Sequence, residues 1–271
     1  METITDLFNS YLPEPHASLM NGILLGRPLF VTDTFYNQLK AVGLIHIVVL
    51  SGMNITLLSS IILRIMVPFI GRKLAMMLTI GIIVGFIFFV GPEAPVVRAG
   101  IMGILSLVGL LFGRKALTIY SLFLSALAMI LINPSWLTSI SFQLSFAATL
   151  GIILFGSPVR NGDKTQDELV KANSVVSYLL EELRISLSAQ VFTVPIIFYY
   201  FRQVSLVAPI ANILIAWLIA PIMILGLIII PIGLISWQFG FVASWSVYPL
   251  LSIIVFVTEG LSKIPYASFT L

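Results

Sequence analysis

Cysteine is absent from this sequence, and histidine occurs only at His16 and His46. Disulfides, thiolate metal sites and cysteine nucleophiles are therefore excluded. The chain also lacks the G-x-x-x-x-G-K phosphate loop of nucleotide hydrolases and the H-E-x-x-H motif of zinc proteases. We accordingly expect no ATP hydrolysis by this chain, no cofactor, no metal site and no catalytic residue, so the chain is not expected to be an enzyme.

Charge is scarce as well. Only 9% of the 271 residues are charged, whereas soluble domains carry about a quarter. Hydrophobic residues make up 59% of the chain, and its mean hydropathy is +1.11. Acidic groups are almost missing from the apolar stretches, with Glu259 as the exception, which argues against a carboxylate proton relay and an ion-coupled transporter. The net charge of +3 is too small to indicate nucleic-acid binding by itself.

Apolar runs are abundant, and many are long enough to cross a bilayer, which takes about 20 helical residues. This pattern predicts an all-α fold, a polytopic bundle of transmembrane helices. The predicted spans lie near residues 43–67, 74–90, 97–112, 116–132, 139–156, 178–201, 206–235 and 241–262. Pro209, Pro221 and Pro231 leave open whether the segment 206–235 is one helix or two, so the predicted count is eight or nine.

The loops between these spans indicate an orientation. On one side they contain nine lysines and arginines, among them Arg64 and Arg114, and on the other side four, among them Arg98. The positive-inside rule places the richer side in the cytoplasm and the amino terminus outside the cytoplasmic (inner) membrane. Residues 1–40 lack the pattern of a secretory signal peptide. We expect them to form an extracytoplasmic segment at the membrane surface, before a single transmembrane domain over 41–271.

Uncharged polar residues stand inside the first predicted span, where such groups normally face protein or water. They are His46, Ser51 and Asn54, with Gly52 beside them. One interpretation is close helix packing at Gly52 with a hydrogen bond from Asn54 across the interface. The other is the lining of a hydrated path, and the sequence leaves both open.

Arg98 lies at the outer end of the third span, after Pro95. A guanidinium can hold a phosphate through two parallel hydrogen bonds. It can equally extend to the lipid headgroups or pair with Glu93. The residues alone do not decide between these roles.

Further polar side chains follow in the later spans. Small and amide side chains recur every fourth residue on one helical stripe, at Ser139, Gln143, Ala147 and Gly151. This stripe is either a tight helix interface or one wall of a hydrated path. Gln190 and Asn212 flank an aromatic cluster at 198–201, which can stack on exposed bases or form an interfacial belt.

Four blocks together resemble the transmembrane competence domain of the ComEC family. They are HIVVLSGMNITLL from His46, VRAGIMGILSLVGLLFGRKA from Val97, NPSWLTSISFQLSFAATLGI from Asn133 and SAQVFTVPIIFYYFRQVSLVAPIANIL from Ser188. Their order also matches, and the resemblance covers roughly residues 20–235. The third block, with F-Q-L-S-F before a run of small residues, is the most specific. The chain departs from many relatives in having Asn54 in place of a second histidine and Asn133 in place of an aspartate.

The resemblance implies a channel that passes single-stranded DNA inward across the cytoplasmic membrane during natural transformation. We expect seven residues to line the path, namely His46, Ser51, Asn54, Gln143, Ser145, Gln190 and Asn212, and Arg98 to bind phosphates at its outer mouth. The resemblance also implies an outer DNA receptor, a cytoplasmic translocase ATPase and a nuclease as partners. Full-length relatives often add an OB-type domain and a metallo-β-lactamase-like domain, and we expect neither in these 271 residues.

Three other functions are considered. A membrane-embedded hydrolase would use Ser51 with His46, but five helical residues place the two side chains about 140° apart around the helix. A small-solute or lipid transporter on the same fold is the stronger rival, because one fold can serve several functions. The third is a membrane scaffold for a separate nuclease.

Overall fold

The structure, a computed structural model, describes residues 2–48, 51–114, 117–156, 175–265 and 268–270. Almost all of this part of the chain is helical, which confirms the predicted all-α fold. The helices before residue 157 are α1 (Glu2–Tyr11), α2 (His16–Leu25), α3 (Asp33–Val42), α4 (Ile45–Val48), α5 (Gly52–Ile70), α6 (Arg72–Val90), α7 (Ala94–Leu111), α8 (Thr118–Ile132) and α9 (Ile140–Gly151). Those after residue 174 are α10 (Val175–Phe201), α11 (Ala208–Ile235), α12 (Trp237–Ser244) and α13 (Tyr248–Ser262). The hydrophilic loop predicted at 157–177 lies largely outside the described residues.

Fewer helices are long and apolar enough to cross a membrane than the sequence predicts. Among the described residues five qualify: Ile45–Ile70 (α4 with α5), α6, α7, Leu179–Phe201 within α10, and α11. The pair α12 and α13, bent by 43°, makes a sixth if it counts as one span. The predicted count of eight or nine is therefore too high. Helix α8 has only 15 residues and Ile140–Gly156 is similarly short, below the about 20 residues that span the hydrocarbon core.

The first span is interrupted. Helix α4 ends at Val48 and α5 begins at Gly52. Ser51, which precedes α5, has an extended backbone with φ −106° and ψ 165°. Helix α5 therefore begins inside an apolar segment, and the backbone N of Asn54 in its first turn donates to the Ser51 carbonyl at 3.1 Å.

Polar side chains explain where other helices begin. Ser139 accepts a hydrogen bond from the Phe142 backbone N at 3.2 Å and starts α9. Asn133 accepts one from the Ser135 backbone N at 3.2 Å and starts the 3-10 turn Pro134–Thr138. Serine and asparagine are preferred at such positions because their side-chain oxygens satisfy N–H groups that the helix leaves unpaired.

Helix α2 lies at the centre of the largest hydrophobic core. All ten of its residues are buried, and Met20 packs against Gly226 of α11. Its first residue, His16, stacks on Tyr248 of α13 with the ring centroids 4.6 Å apart. The side chains of α2 therefore fill the space between α11 and α13, and the surface position expected for residues 1–40 stays a prediction. Which side of the membrane residues 1–40 occupy stays a prediction.

A second group of helices packs beside this core. Ile55 of α5, Ile83 of α6 and Val96 of α7 form one buried cluster, and α7 also packs against α8 and α9 through a third cluster. On the other side of α9, Gly151 lies against the Ser188 carbonyl of α10. Helix α7 thus stands between α5 and α9, which positions the residues considered below.

Helix α11 is continuous over 28 residues, so the break considered within 206–235 is not formed. Pro209 lies in the first turn, where a missing N–H costs nothing. Pro221 and Pro231 lie inside the helix. Prolines are tolerated in transmembrane helices because neighbouring groups and small local adjustments satisfy the freed backbone.

Two short strands accompany the helices. Strand β1 (Gln203–Ser205) pairs antiparallel with β2 (Ser268–Thr270), and Val204 lies opposite Phe269. The sequence does not predict this sheet, because three residues are too few to show a period of two.

Candidate functional site

Arg98 lies in the second turn of α7, and its side chain is half-buried next to α5 and α9. Its Nε donates a hydrogen bond of 2.8 Å to Ser145 Oγ on α9. Its Nη1 lies 3.4 Å from Met102 Sδ, one turn further along α7. Glu93, the alternative partner considered from the sequence, is exposed. Within the described ranges no carboxylate forms an ion pair with Arg98, so neutral groups surround its charge.

Gly52 provides the space that the Arg98 guanidinium occupies. A Cβ atom at this position would lie 2.5 Å from Arg98 Nη2, 3.1 Å from Ala99 Cβ and 3.4 Å from the Pro95 carbonyl oxygen. Glycine therefore allows the guanidinium to lie directly against the first residue of α5. The amino-terminal end of a helix carries a partial positive charge. The Arg98 guanidinium and the amino-terminal end of α5 thus lie together where the first span is interrupted. Both carry positive charge and would attract an anion.

Ser51 and Asn54 complete this region. The Ser51 hydroxyl makes no capping bond to the α5 backbone and donates instead to Asn54 Oδ1 at 3.2 Å. Asn54 is fully buried, and its Nδ2 donates to the Ile23 carbonyl at the end of α2 at 2.9 Å. These bonds hold the start of α5 against the interior helix α2.

Four of the eight predicted residues therefore lie together. We call Ser51, Gly52, Asn54, Arg98 and Ser145 the Arg98 cluster. It combines α5, α7 and α9, and so brings together the first three of the four sequence blocks. Its polar atoms are uncharged apart from the single guanidinium, an arrangement that can attract a negatively charged group and cannot repel one.

The other four, which are His46, Gln143, Gln190 and Asn212, are not hydrogen-bonded to the Arg98 cluster within the described part of the chain. His46 is exposed on α4, and Gln190 is half-buried on α10. Gln143 donates to a carbonyl six residues earlier, at 3.2 Å. Asn212 Nδ2 donates to Ser186 Oγ at 2.8 Å and joins α11 to α10. These residues belong to separate helix contacts, and their lining of a path stays a prediction.

Two cavities lie elsewhere in the described structure. One of about 400 Å³ lies between Phe155 and the start of α10, and one of about 390 Å³ lies between the end of α1 and the pair α12 and α13. None of the eight predicted residues lines either cavity. The Arg98 cluster therefore does not form the wall of either of these cavities.

The geometry does not support the hydrolase that the sequence left open. The Ser51 hydroxyl donates to Asn54 Oδ1, while His46 is exposed on a different helix, α4. A serine nucleophile needs a base within hydrogen-bond distance. Ser51 is instead bonded to an amide, which cannot accept a proton at neutral pH.

The sequence singled out Ser51, Asn54, Arg98 and Ser145, but it did not predict how they meet. It missed that Ser145 is the partner of Arg98, that Gly52 makes room for the guanidinium, and that Met102 contacts it. The spacing of Met102, four residues after Arg98, gave a signal for that contact, because such pairs share one helix face. The other contacts join different helices, and no spacing within one block indicates them.

Two curated relatives are similar to this chain. ComE operon protein 3 of Bacillus subtilis (strain 168) is 26% identical over 212 residues, which cover 78% of this chain and 26% of that protein. An uncharacterized protein of Aquifex aeolicus (strain VF5) is 31% identical over 128 residues, or 47% of this chain and 30% of that protein. The matched part of each relative is therefore less than a third of its length. No solved structure shows a significant match.

A broader comparison covers nearly the whole chain. The model of the Competence protein family matches residues 23–271, a range that begins within α2 and includes the whole Arg98 cluster. Together with the apolar helices long enough to span a bilayer, the match shows that this chain is a helical membrane protein and a member of the Competence protein family.

Proposed function

We propose that this chain forms part of the path by which a single DNA strand crosses the cytoplasmic membrane inward during natural transformation. The observation that supports this most is the Arg98 guanidinium, which lies among neutral groups inside a helical bundle without an ionic partner in the described structure. The family is described as Competence protein, and one relative is named ComE operon protein 3. Both names favour a role in competence.

The charge of the substrate makes such a residue useful. A nucleic-acid strand carries one negative charge per nucleotide, and hydrocarbon gives a phosphate no partner for its charge. A charged side chain within a span is costly, and it is usually retained where it pairs with a substrate or with another charge. Arg98 fits the first role, because its bonds within the described structure are to Ser145 and Met102, which are neutral.

The position of Arg98 matches inward transport. The span Ile45–Ile70 and helix α7 begin on the side that the positive-inside rule assigns to the outside. The opposite end carries the exposed Arg64 and Arg114. A strand that arrives from outside would therefore meet Arg98 near the start of its path. The proposed location is the inner membrane, with an extracytoplasmic amino terminus.

Movement of the strand requires other proteins. The sequence contains no phosphate loop for nucleotide hydrolysis, so the energy would come from a cytoplasmic translocase ATPase or from binding of the strand inside the cell. An outer DNA receptor would deliver the substrate, and a nuclease would remove the second strand. These partners, and the passive, non-enzymatic role of this chain, are part of the proposal.

The main rival remains a small-solute or lipid transporter, since Arg98 would also attract a solute carboxylate or a lipid phosphate. A scaffold for a separate nuclease would need no polar site inside the bundle. The Arg98 cluster therefore supports a scaffold less than it supports a transporter or a DNA path. These functions differ in what happens to DNA in the host cell, and that difference can be measured.

Deletion of the gene in its native host tests the proposal. Labelled DNA in the cytoplasm should fall to background, while DNA bound at the cell surface stays at the wild-type level. A plasmid copy of the gene should restore uptake. Normal DNA uptake in the deletion strain would reject the DNA path and favour the solute transporter.

A further inference from the structure

The guanidinium of Arg98 can offer a phosphate either of two pairs of hydrogen-bond donors. The side-on edge combines Nε with one Nη atom, and the end-on edge combines Nη1 with Nη2. In this structure Nε donates its single hydrogen to Ser145 Oγ at 2.8 Å. The side-on edge is therefore occupied, and a phosphate that meets Arg98 must use the end-on edge.

Only a weak acceptor competes with a phosphate for the end-on edge of the Arg98 guanidinium. Nη1 lies 3.4 Å from the thioether sulfur of Met102, and a thioether is a weak acceptor that a charged phosphate oxygen would readily replace. Nη2 lies against Gly52, which has no side chain that could cover it. Neither atom is bonded to an oxygen of a described residue.

Ser145 and Gly52 also restrict how the guanidinium can move. Ser145 holds Nε from α9, and Gly52 at the start of α5 lies directly beside Nη2. A free arginine side chain loses rotamer freedom when it is ordered on binding. Contacts on two sides remove part of that freedom before a phosphate arrives, which is how preorganisation raises affinity.

We infer that Ser145 and Gly52 are positioning residues, which hold Arg98 so that its Nη1 and Nη2 atoms face a single phosphodiester of the passing strand. This inference rests on the proposed function, because it takes the strand as the ligand. It adds that the site binds the backbone one phosphate at a time and is independent of base sequence, because a guanidinium edge of this width matches two oxygens of one phosphate.

Binding measurements on the whole gene product in lipid nanodiscs test the inference. The probe is a fluorescent single-stranded phosphodiester oligonucleotide, compared with a methylphosphonate oligonucleotide of the same sequence, which has an uncharged backbone. Wild-type protein should bind the phosphodiester probe more tightly. Ser145→Ala should weaken that binding by about tenfold, because the probe must then order an Arg98 side chain that Ser145 no longer holds, and should leave binding of the methylphosphonate unchanged.

Two further variants separate positioning from packing. Ser145→Thr keeps a hydroxyl acceptor and should bind within about twofold of wild type, a change of less than about 0.5 kcal/mol. Gly52→Ala keeps Ser145 but pushes Nη2 aside, so it should weaken binding of the phosphodiester as Ser145→Ala does. The melting temperature of each purified variant shows whether it is folded. If Ser145→Ala fails to fold, Gly52→Ala and Ser145→Thr still give the comparison.

The outcomes are distinguishable. If wild-type protein binds both probes equally, or neither, the proposed strand path is wrong. If it prefers the phosphodiester but Ser145→Ala binds as tightly as wild type, the path stands and the positioning role is wrong. Equal weakening by Ser145→Ala and Ser145→Thr would also overturn the positioning role, because it would show that only side-chain volume matters at this position.

Discussion

Asn54 shows how an amide is accommodated inside an apolar helical bundle. It is fully buried, at 0% exposure, and both of its polar atoms are bonded. Nδ2 donates to the Ile23 carbonyl, and Oδ1 accepts from the Ser51 hydroxyl. The carbonyls of the last turn of a helix have no partner within that helix, so Asn54 satisfies a group that α2 cannot satisfy itself. These hydrogen bonds are those expected if Asn54 serves in helix packing.

Replacement of Asn54 by alanine should destabilise the protein by about 1–3 kcal/mol, because the buried Ile23 carbonyl is left without its partner. The measurement is the midpoint of thermal unfolding in detergent. Thr56→Ala is the matched control, since Thr56 is exposed on the same helix and bonds only the Met53 carbonyl. Equal midpoints for the two variants would contradict the role assigned to Asn54.

Arg98 shows what a residue type predicts and what it leaves open. The sequence offered lipid headgroups, Glu93 or a phosphate as its partners. The structure gives it Ser145, a residue that the sequence placed in the path and not beside Arg98. Residue chemistry could predict that the guanidinium needs an acceptor, but the identity of that acceptor depends on how α7 and α9 pack.

Helix boundaries followed from the sequence where side chains set them. Ser139 starts α9 through a side-chain hydrogen bond, at the position where the sequence predicts the span 139–156 to begin. The interruption before Gly52 could not be predicted in this way, because hydropathy averaged over a span treats Ser51 as a small perturbation of an apolar run. That interruption is stabilised by α2, through the Ile23 carbonyl, and α2 is distant in sequence.

The small-residue stripe on α9 was predicted as either a tight interface or the wall of a path. Gly151, its last member, lies against the Ser188 backbone of α10, and the two helices pack closely there. The tight interface is therefore present at this end of the stripe. Gln143, near the other end, donates to the Leu137 carbonyl in the turn before α9.

Gly151→Ala should separate α9 from α10, because the new Cβ would collide with the Ser188 carbonyl oxygen, which belongs to a helix backbone and cannot move alone. We expect a loss of about 1–3 kcal/mol, typical of an overpacked site, measured as a lower melting temperature in detergent. Gly85→Ala on α6 is the matched control, since nothing lies within 4 Å of a Cβ there. It should be neutral or stabilising, by up to about 1 kcal/mol. Comparable destabilisation by both variants would show that the close approach at Gly151 is unimportant.

The whole bundle joins parts of the chain that are far apart in sequence. Residues 1–40, which the sequence treats as a separate surface segment, contribute α2 to the same core as α11 and α13. The apolar class of the protein was readable from composition alone. The position of α2 in the core was not predicted from the sequence, because a fully buried helix of ten residues resembles neither a span nor an amphipathic surface helix.

The span count also depends on the assembled bundle. Helix α8 and Ile140–Gly156 are apolar like the others, so hydropathy predicts them as spans. Their length falls short of a bilayer, and they pack beside longer helices. The family match, over residues 23–271, connects this architecture to competence. The relatives extend well beyond the matched region, so the activity of a whole protein of this kind stays a proposal for this chain.

DNA uptake in host cells that carry Arg98→Ala tests the central claim most directly. The control is Arg64→Ala, which also removes one positive charge, at an exposed position near the opposite end of the bundle. Both variants must reach wild-type levels in the membrane. The account predicts that Arg98→Ala lowers labelled DNA in the cytoplasm by about tenfold or more, the cost of one lost guanidinium–phosphate contact, while Arg64→Ala leaves it near wild type. Wild-type uptake in the Arg98→Ala strain would contradict the proposed path.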